Sequence, residues 1–590
     1  MPLMIVPLAI APGWMLHYDL APKVTAVAAG AVPALLWMGL RGVRPAHHAV
    51  RALLLLFALH AVVLLASTAF SDSPAISLGG SSWRRFGAIP RLAALAVCAS
   101  LTLEMAARPG YLRHILRMVT LTAIVVSLYA TAQYCGWDPW IDREAYTDPY
   151  FRAVRPPATL GHAAYLATFL LQTTFASLGL WLIEQHRIWR MLSAVSIAAG
   201  HIAIVLSGTR AALGALVFGW LILAALRRPR HIRVAVASAL AFFAIVAAFT
   251  LSPAGEPIRG RLRQWESDPA GGPRLMVWRD TVQMASARPL AGYGPDTFTL
   301  LFPLFQSARL SAAYPNHYHE SPHNIFLDAS VEAGIAGLAL LAATIGVALR
   351  WGLRGSRPEC AALAAGLGAT VLALQFTVFV LPTWLYFLLQ TAMLAATAKA
   401  PASPAHARPL PVWTVTACRM AALPAAACAL AFAIGTAWTE YGWLRAGQLL
   451  GEDRVSDAIS TWRALPQWPV LAASADLWFA RQLLISASRK ADQSTSMLEE
   501  ALHHAEAAVA GSDQPSDAHL IAATVWALRG DVTRTEQHLR SACLRSPQWH
   551  KPHWILSKLL RDLGRSVEAE KERRTAIRLY GGVPPEANPR

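Results

Sequence analysis

The chain is predicted to be all-α: a polytopic membrane bundle of about 12–13 spans followed by a soluble, tetratricopeptide-like helical domain. Three observations predict it. The 590 residues are 55% hydrophobic and only 15% charged, against about 25% charged in soluble domains. Apolar runs able to cross a bilayer, about 17–25 residues each, recur through the first three quarters. From residue 439 onward the composition becomes that of a water-soluble helical protein.

In order, the runs lie at 3–16, 24–40, 49–70, 88–107, 115–135, 162–183, 191–206, 211–226, 234–251, 325–349, 360–380, 384–398 and 419–438. Several are short, so the count is good to about one or two. The first lacks a basic start and a convincing cleavage site, and reads as a retained span rather than a signal peptide.

The net charge of +17 is distributed along the chain in a regular way. Every second connecting loop is rich in arginine: Arg41/Arg44/Arg51, Arg108/Arg113/Arg117, Arg187/Arg190, Arg227/Arg228/Arg230/Arg233 and Arg350/Arg354/Arg357, with Lys399/Arg408 completing the series. The positive-inside rule puts this set, and the amino terminus with it, in the cytoplasm. The intervening loops, 18–23, 71–85, 136–161, 207–210, 252–322 and 381–382, then lie outside. Such alternation is a topology signal, so the basic balance does not call for nucleic acid. Six cysteines without a CxxC pair argue against a disulfide framework or a cysteine zinc site.

An odd number of crossings places the tail outside as well. Residues 1–438 read as the membrane domain and 439–590 as the helical domain, with a proline- and alanine-rich link at 401–411. Gly530 and Gly564 stand thirty-four residues apart, the tetratricopeptide period. An irregular helical bundle is the plainer alternative. In either form the tail carries no visible chemistry, and it offers a surface for a possible protein partner.

The chemistry gathers in the outer loops. Arg210, in Ser207-Gly-Thr-Arg, sits in a turn too short to hold it far out in water; it either snorkels to headgroups or meets a ligand. Its planar fork of donors suits two phosphate oxygens. The 252–322 loop carries Arg259, Arg261, Arg263, Arg274, Arg279 and Arg288. Arg274 and Trp278 share a helical face at i, i+4 spacing, where arginine can hold phosphate and tryptophan can pack on a lipid tail or sugar.

His323 opens the next span, with Asn324, Asp328 and Glu332 following at four-residue steps. An imidazole there can take a proton from an acceptor hydroxyl. Two acids inside a span need arginines or a polar ligand, so Asp328 and Glu332 serve either a ligand or the arginines themselves. Arg84 and Arg85 follow a glycine- and serine-rich stretch that can present N–H groups to an anion, or they contact headgroups. The loop stretch Arg155-Pro-Pro-Ala-Thr-Leu-Gly-His162 ends at a span start, where His162 stands as a donor to sugar or phosphate, or as a structural residue. His317, His319, Glu320 and His323 cluster in sequence, but no HExxH helix accompanies them, and no metal site is expected.

Taken together, Ser207-Gly-Thr-Arg-Ala-Ala-Leu-Gly, Arg274-Leu-Met-Val-Trp, Pro289-Leu-Ala-Gly-Tyr-Gly and His323-Asn-Ile-Phe-Leu with Glu332-Ala-Gly-Ile-Ala-Gly resemble the O-antigen ligase and polymerase superfamily of bacterial inner membranes, the Wzy/WaaL type. The resemblance implies an enzyme that moves a glycan from undecaprenyl pyrophosphate to an acceptor without metal or other cofactor. It also implies roles by motif position: Arg210 and Arg274 would hold the pyrophosphate, and His323 would activate the acceptor hydroxyl or assist the leaving group. Acceptors in the superfamily are lipid A-core, a second lipid-linked repeat, or an exported protein. Ligation to lipid A-core is narrowly preferred. A transporter and a membrane-anchored scaffold are the readings from other classes, and polar residues near midplane would mark the transporter.

Overall fold

A computed structural model describes residues 1–41, 48–108, 110–227, 244–268, 271–315, 318–398, 412–466, 468, 472–489 and 494–585. Arg44, Arg228, Arg230, Arg233, Lys399, Arg408, the 401–411 link, His317 and most of the 234–251 run lie outside them; residues 244–251 are helical.

The described residues are mostly helical, with one short antiparallel pairing among them, of Thr147–Asp148 against Ala153–Val154. Among the described residues nine helices are long and apolar enough to cross a membrane. Two shorter buried helices, Pro358–Ala373 and Leu381–Thr397, pack beside them.

The helix Ala163–Ile183 is buried on nearly every side and touches Tyr111–Tyr134, Arg187–Leu206, Arg210–Arg227, Pro358–Ala373 and Leu381–Thr397. Lipid tails are as apolar as leucine, so such packing depends on close approach of small residues. Gly366 shows it: a Cβ there would lie 2.6 Å from the Cβ of Phe175.

The expectation for the amino-terminal run is overturned. Its helix is Pro2–Leu8, seven residues; that gives about 10 Å, far short of a bilayer. Pro7 and Pro12 end helical pairing early. The following segment bonds to the end of the molecule that carries the polar loops: His17 Nδ1 lies 3.0 Å from Glu440 Oε1, and Arg85 donates to the same oxygen at 3.1 Å. Residues 9–20 are therefore at the end opposite Arg41, not with the arginine-rich loops.

The 325–349 run is also not one continuous helix. Ile325–Arg354 breaks at Ala333 and Gly334, where Gly334 has φ +60°. Irregular backbone at membrane depth survives only where protein satisfies it. Here the 289–294 turn does so: Tyr293 N donates to Val331 O at 2.8 Å, Gly294 N to Glu332 O at 2.9 Å, and Ile335 N to Pro289 O at 2.7 Å. A Cβ on Gly334 would lie 2.4 Å from Leu290 O, so glycine is required by both conformation and space.

The 252–322 loop is itself folded, around the helices Glu256–Ser267 and Arg274–Ala287. The last span, Val412–Gly451, runs forty residues without interruption through the domain boundary expected at 438/439. Beyond it, helices pack pairwise in chain order from Ala472–Ala487 to Ser566–Tyr580. Gly530 and Gly564 occupy matching left-handed turns, φ +76° and +74°, within the hairpins Pro515–Leu528/Val532–Arg545 and His550–Asp562/Ser566–Tyr580. The tail rests on the outer loops: Ser82 donates through both N and Oγ to Asp513 Oδ2 at 2.7 Å.

Candidate active site

Four helices begin around one cavity of about 720 Å³. His162 caps Ala163–Ile183, its Nδ1 accepting from Ala164 N at 3.1 Å. Arg210 is the first residue of Arg210–Arg227, and Arg274 the first of Arg274–Ala287. His323 directly precedes Asn324, which caps Ile325–Arg354 by accepting from Phe326 N and Leu327 N. Helix N-termini carry partial positive charge and spare N–H donors. The cavity therefore gathers the positive ends of four helices at one place.

Side chains add to that field. Arg155, Arg210, Arg261 and Arg274 line the cavity, with Glu320 the single carboxyl among its described lining residues. The backbone brings two of the guanidiniums together. Gly271 adopts φ +77°, and a Cβ on it would lie 3.0 Å from Arg274 Nη1 and 3.4 Å from Arg210 Nη2. Arg210 Nη1 also donates to Asp268 O at 3.2 Å, and Arg261 Nε to Gly208 O at 3.0 Å. The buried Nε atoms of Arg155 and Arg274 have no acceptor among the described residues.

Burial, then Arg155, Arg210 and Arg274, push the Arg261 guanidinium down to about 9. Burial, followed by Arg274 and Arg210, pushes Arg155 down to about 10. A guanidinium does not give up its proton in a protein. The strain appears instead as unbalanced positive potential, which an anion relieves.

The imidazoles respond to the same field. Burial first, then Arg274, His319 and Arg84, pushes His323 down to about 3. Burial, then Arg155, His323, Arg261 and Arg274, does the same to His162, also to about 3, although its ring is open to the cavity. Both are neutral at pH 7. His323 takes a left-handed backbone, φ +52°, a conformation uncommon outside glycine. Trp278 Nε1 donates to Pro322 O at 2.8 Å and stabilises this bend, while its ring lies 5.9 Å from that of Phe376 on the cavity wall. Glu320 accepts from Tyr165 Oη at 3.0 Å, and burial raises its carboxyl above the usual range.

Of the residues expected from sequence, Arg210, Arg274, His323, His162 and Trp278 share this cavity. The other seven do not line it. Arg84 is fully buried in an ion cluster: Nε bonds Asp296 Oδ1 at 2.7 Å, Nη1 bonds Asp328 Oδ2 at 2.9 Å, and Nη2 reaches Glu332 Oε1 at 3.3 Å. Arg91 joins through Glu332 at 2.6 Å. Burial opposes the Arg84 charge, but Asp328, Asp296 and Glu332 outweigh it and hold the guanidinium charged.

Thus Arg84, Asp328 and Glu332 tie the 71–87 loop to the broken helix. The acids meet arginines because a span offers them nothing else. Arg85 pairs with Glu440, Arg279 with Asp280 and Arg288 with Asp72. Asn324 is occupied as a cap and donates to Gln375 Oε1 at 3.1 Å.

Sequence reasoning missed four lining residues in their roles. Arg155 and Arg261 were visible only as loop arginines, Glu320 only as a possible metal ligand, and Tyr165 not at all. Of the described members of the metal-like sequence cluster, Glu320 and His323 line the cavity and His319 lines the neighbouring cleft. Among the described residues, the one trio of metal-type ligands is Cys543, His553 and Glu572 in the tail.

Fold and site define a multi-pass membrane protein with a cationic hollow at the end bearing its polar loops. Residues 193–342 match the Wzy_C family model, described as O-Antigen ligase. The matched stretch contains Arg210, Arg261, Arg274, Trp278, Glu320 and His323, and excludes Arg155, His162 and the helical tail. That domain implies a glycosyltransferase or ligase acting on a lipid-linked glycan. No curated protein matches the chain.

Proposed function

We propose that this protein is an inner-membrane glycosyltransferase that moves a glycan from undecaprenyl pyrophosphate to an acceptor hydroxyl, with lipid A-core the preferred acceptor. One observation carries the reading: four guanidiniums and four helix N-termini converge on one cavity, with Glu320 the single carboxyl among its described lining residues. A diphosphate supplies the charge and acceptor oxygens that such a place favours. The positive-inside rule puts the arginine-rich ends in the cytoplasm, so the cavity and the tail face the periplasm.

The reaction uses these groups without further help. The acceptor oxygen attacks the anomeric carbon of the donor sugar, and the bond from that carbon to the diphosphate oxygen breaks. The bonding electrons leave with undecaprenyl pyrophosphate, whose growing charge Arg210, Arg274, Arg155 and Arg261 stabilise. The hydroxyl proton passes to His323. A base with a pKa of about 3 is weak. The bound diphosphate offsets the surrounding cations and strengthens it, so His323 is activated by the donor itself. Trp278 and Phe376 offer aromatic faces to the first sugar or prenyl unit.

The test is transfer in vitro, with purified protein, a synthetic undecaprenyl-pyrophosphate glycan and lipid A-core. Loss of transfer on Arg274→Ala or His323→Ala supports the reading; unchanged transfer in both sinks it. Deleting the gene and resolving surface glycans on a gel separates the acceptors. Loss of long-chain lipopolysaccharide marks ligation, truncation to one repeat marks polymerisation, and loss of a glycoprotein band marks a protein acceptor.

A further inference from the structure

A second hollow, of about 360 Å³, lies between the outer loops and the helical tail. Trp83 and Tyr318 form its membrane side, their rings stacked at 5.9 Å and 23°. Arg481, Asp517, Trp549 and Lys551 form the tail side. Tyr318 also lines the cationic cavity, so the two hollows share this side chain as a wall.

The relation between the two sides is built into the fold. Asp513 accepts both Ser82 bonds beside the cleft, and the short helix Ala308–Ala313 packs on Ser566–Tyr580. Asp517 Oδ1 accepts from Arg481 Nη2 at 2.8 Å, which holds a carboxylate and a guanidinium at the rim.

The lining selects among ligands by its chemistry. Indole and phenol faces suit the C–H face of a pyranose ring, while a carboxylate, a guanidinium and an ammonium suit its hydroxyls and acidic substituents. An acyl chain would leave those charges desolvated without partners.

We propose that this cleft binds the oligosaccharide of the acceptor, so that the tail forms half of the acceptor site. The sugar chain lies between Trp83 and Trp549 and passes Tyr318, which brings its terminal hydroxyl to His323. This rests on the transferase reading for the identity of the acceptor, but binding is measurable without turnover.

The experiment uses the full chain in lipid nanodiscs with delipidated core oligosaccharide as the probe. Two variants, Trp549→Ala and Lys551→Ala, are compared with wild type by calorimetric binding and by acceptor KM. The expected result is affinity weakened about tenfold for Trp549→Ala and less for Lys551→Ala. Acceptor KM rises in parallel, with donor KM and kcat little changed.

Lys551 is exposed, so its variant tests the cleft even if removing Trp549 disturbs the tail. Equal binding by both variants and wild type overturns the proposal, as does saturable binding of an exported protein at the cleft with none of the oligosaccharide. Oligosaccharide binding that both variants weaken, with no transfer by wild type from any lipid-linked donor, would overturn the transferase reading and leave the cleft standing.

Discussion

The indole nitrogen of Trp278 donates to the carbonyl oxygen of Pro322 across 2.8 Å, joining the helix that begins at Arg274 to the residue before His323. The cation and the imidazole are thus set relative to each other by one hydrogen bond between segments forty-four residues apart. Trp278→Phe keeps an aromatic wall but leaves that carbonyl without its donor. A bond of this kind contributes about 0.5–1.5 kcal/mol. Transfer should fall roughly threefold to tenfold, with little change in thermal stability. A kcat equal to wild type would show that His323 is held by other means.

Arg274 tests whether the shape of the cation matters or only its charge. Lysine keeps the charge but presents a point rather than a fork, and it cannot bridge two phosphate oxygens in one plane. Arg274→Lys should lower kcat by about tenfold to a hundredfold, and Arg274→Ala by more. Steady-state kinetics with a synthetic lipid-linked donor reads both. Full activity in the lysine variant would reduce Arg274 to a general electrostatic role.

The histidines predict a particular pH response. His323 and His162 have folded-state values pushed down to about 3 by burial and the neighbouring arginines. Unfolded histidine titrates near 6.5. Their contribution to stability is therefore complete above about pH 6.5 and is lost progressively as pH falls toward 3. A His162→Gln/His323→Gln double variant should lose less stability than wild type over that window, measured by thermal unfolding in detergent.

The same field predicts kinetics. If bound diphosphate raises His323 as proposed, the acid limb of kcat should lie at higher pH than that of kcat/KM for the donor. Coincident limbs would argue against activation by the donor.

Arg84 distinguishes a ligand-binding arginine from one that holds the fold. Its guanidinium is surrounded by Asp296, Asp328 and Glu332, and its side chain has no exposed surface. Removing one member of a buried ion cluster costs about 3–5 kcal/mol, because the others stay buried without compensation. Arg84→Met should lower the unfolding temperature sharply and reduce the yield of folded protein. An Arg84→Met protein with wild-type Tm but weakened donor binding would return this residue to the ligand.

From the amino acids alone, the all-α membrane class, the alternation of arginine-rich and polar loops, and the candidacy of Arg210, Arg274, His162, Trp278 and His323 were legible. A bilayer makes polar side chains costly, so the few present stand out against a plain background. Tertiary structure decided which polar residues line the cavity and which pair with each other. Arg84, Asp328 and Glu332 carry the same local signal as Arg274, yet they neutralise one another inside the fold. Arg155, Arg261 and Glu320 come from loops whose paths no periodicity specifies, and only the folded chain puts them in one cavity. The amino-terminal run shows the same divide: its hydrophobicity suggested a crossing, and seven helical residues cannot make one. Hydropathy reads the solvent each residue prefers; pairing between distant charges is settled only when the chain has closed around them.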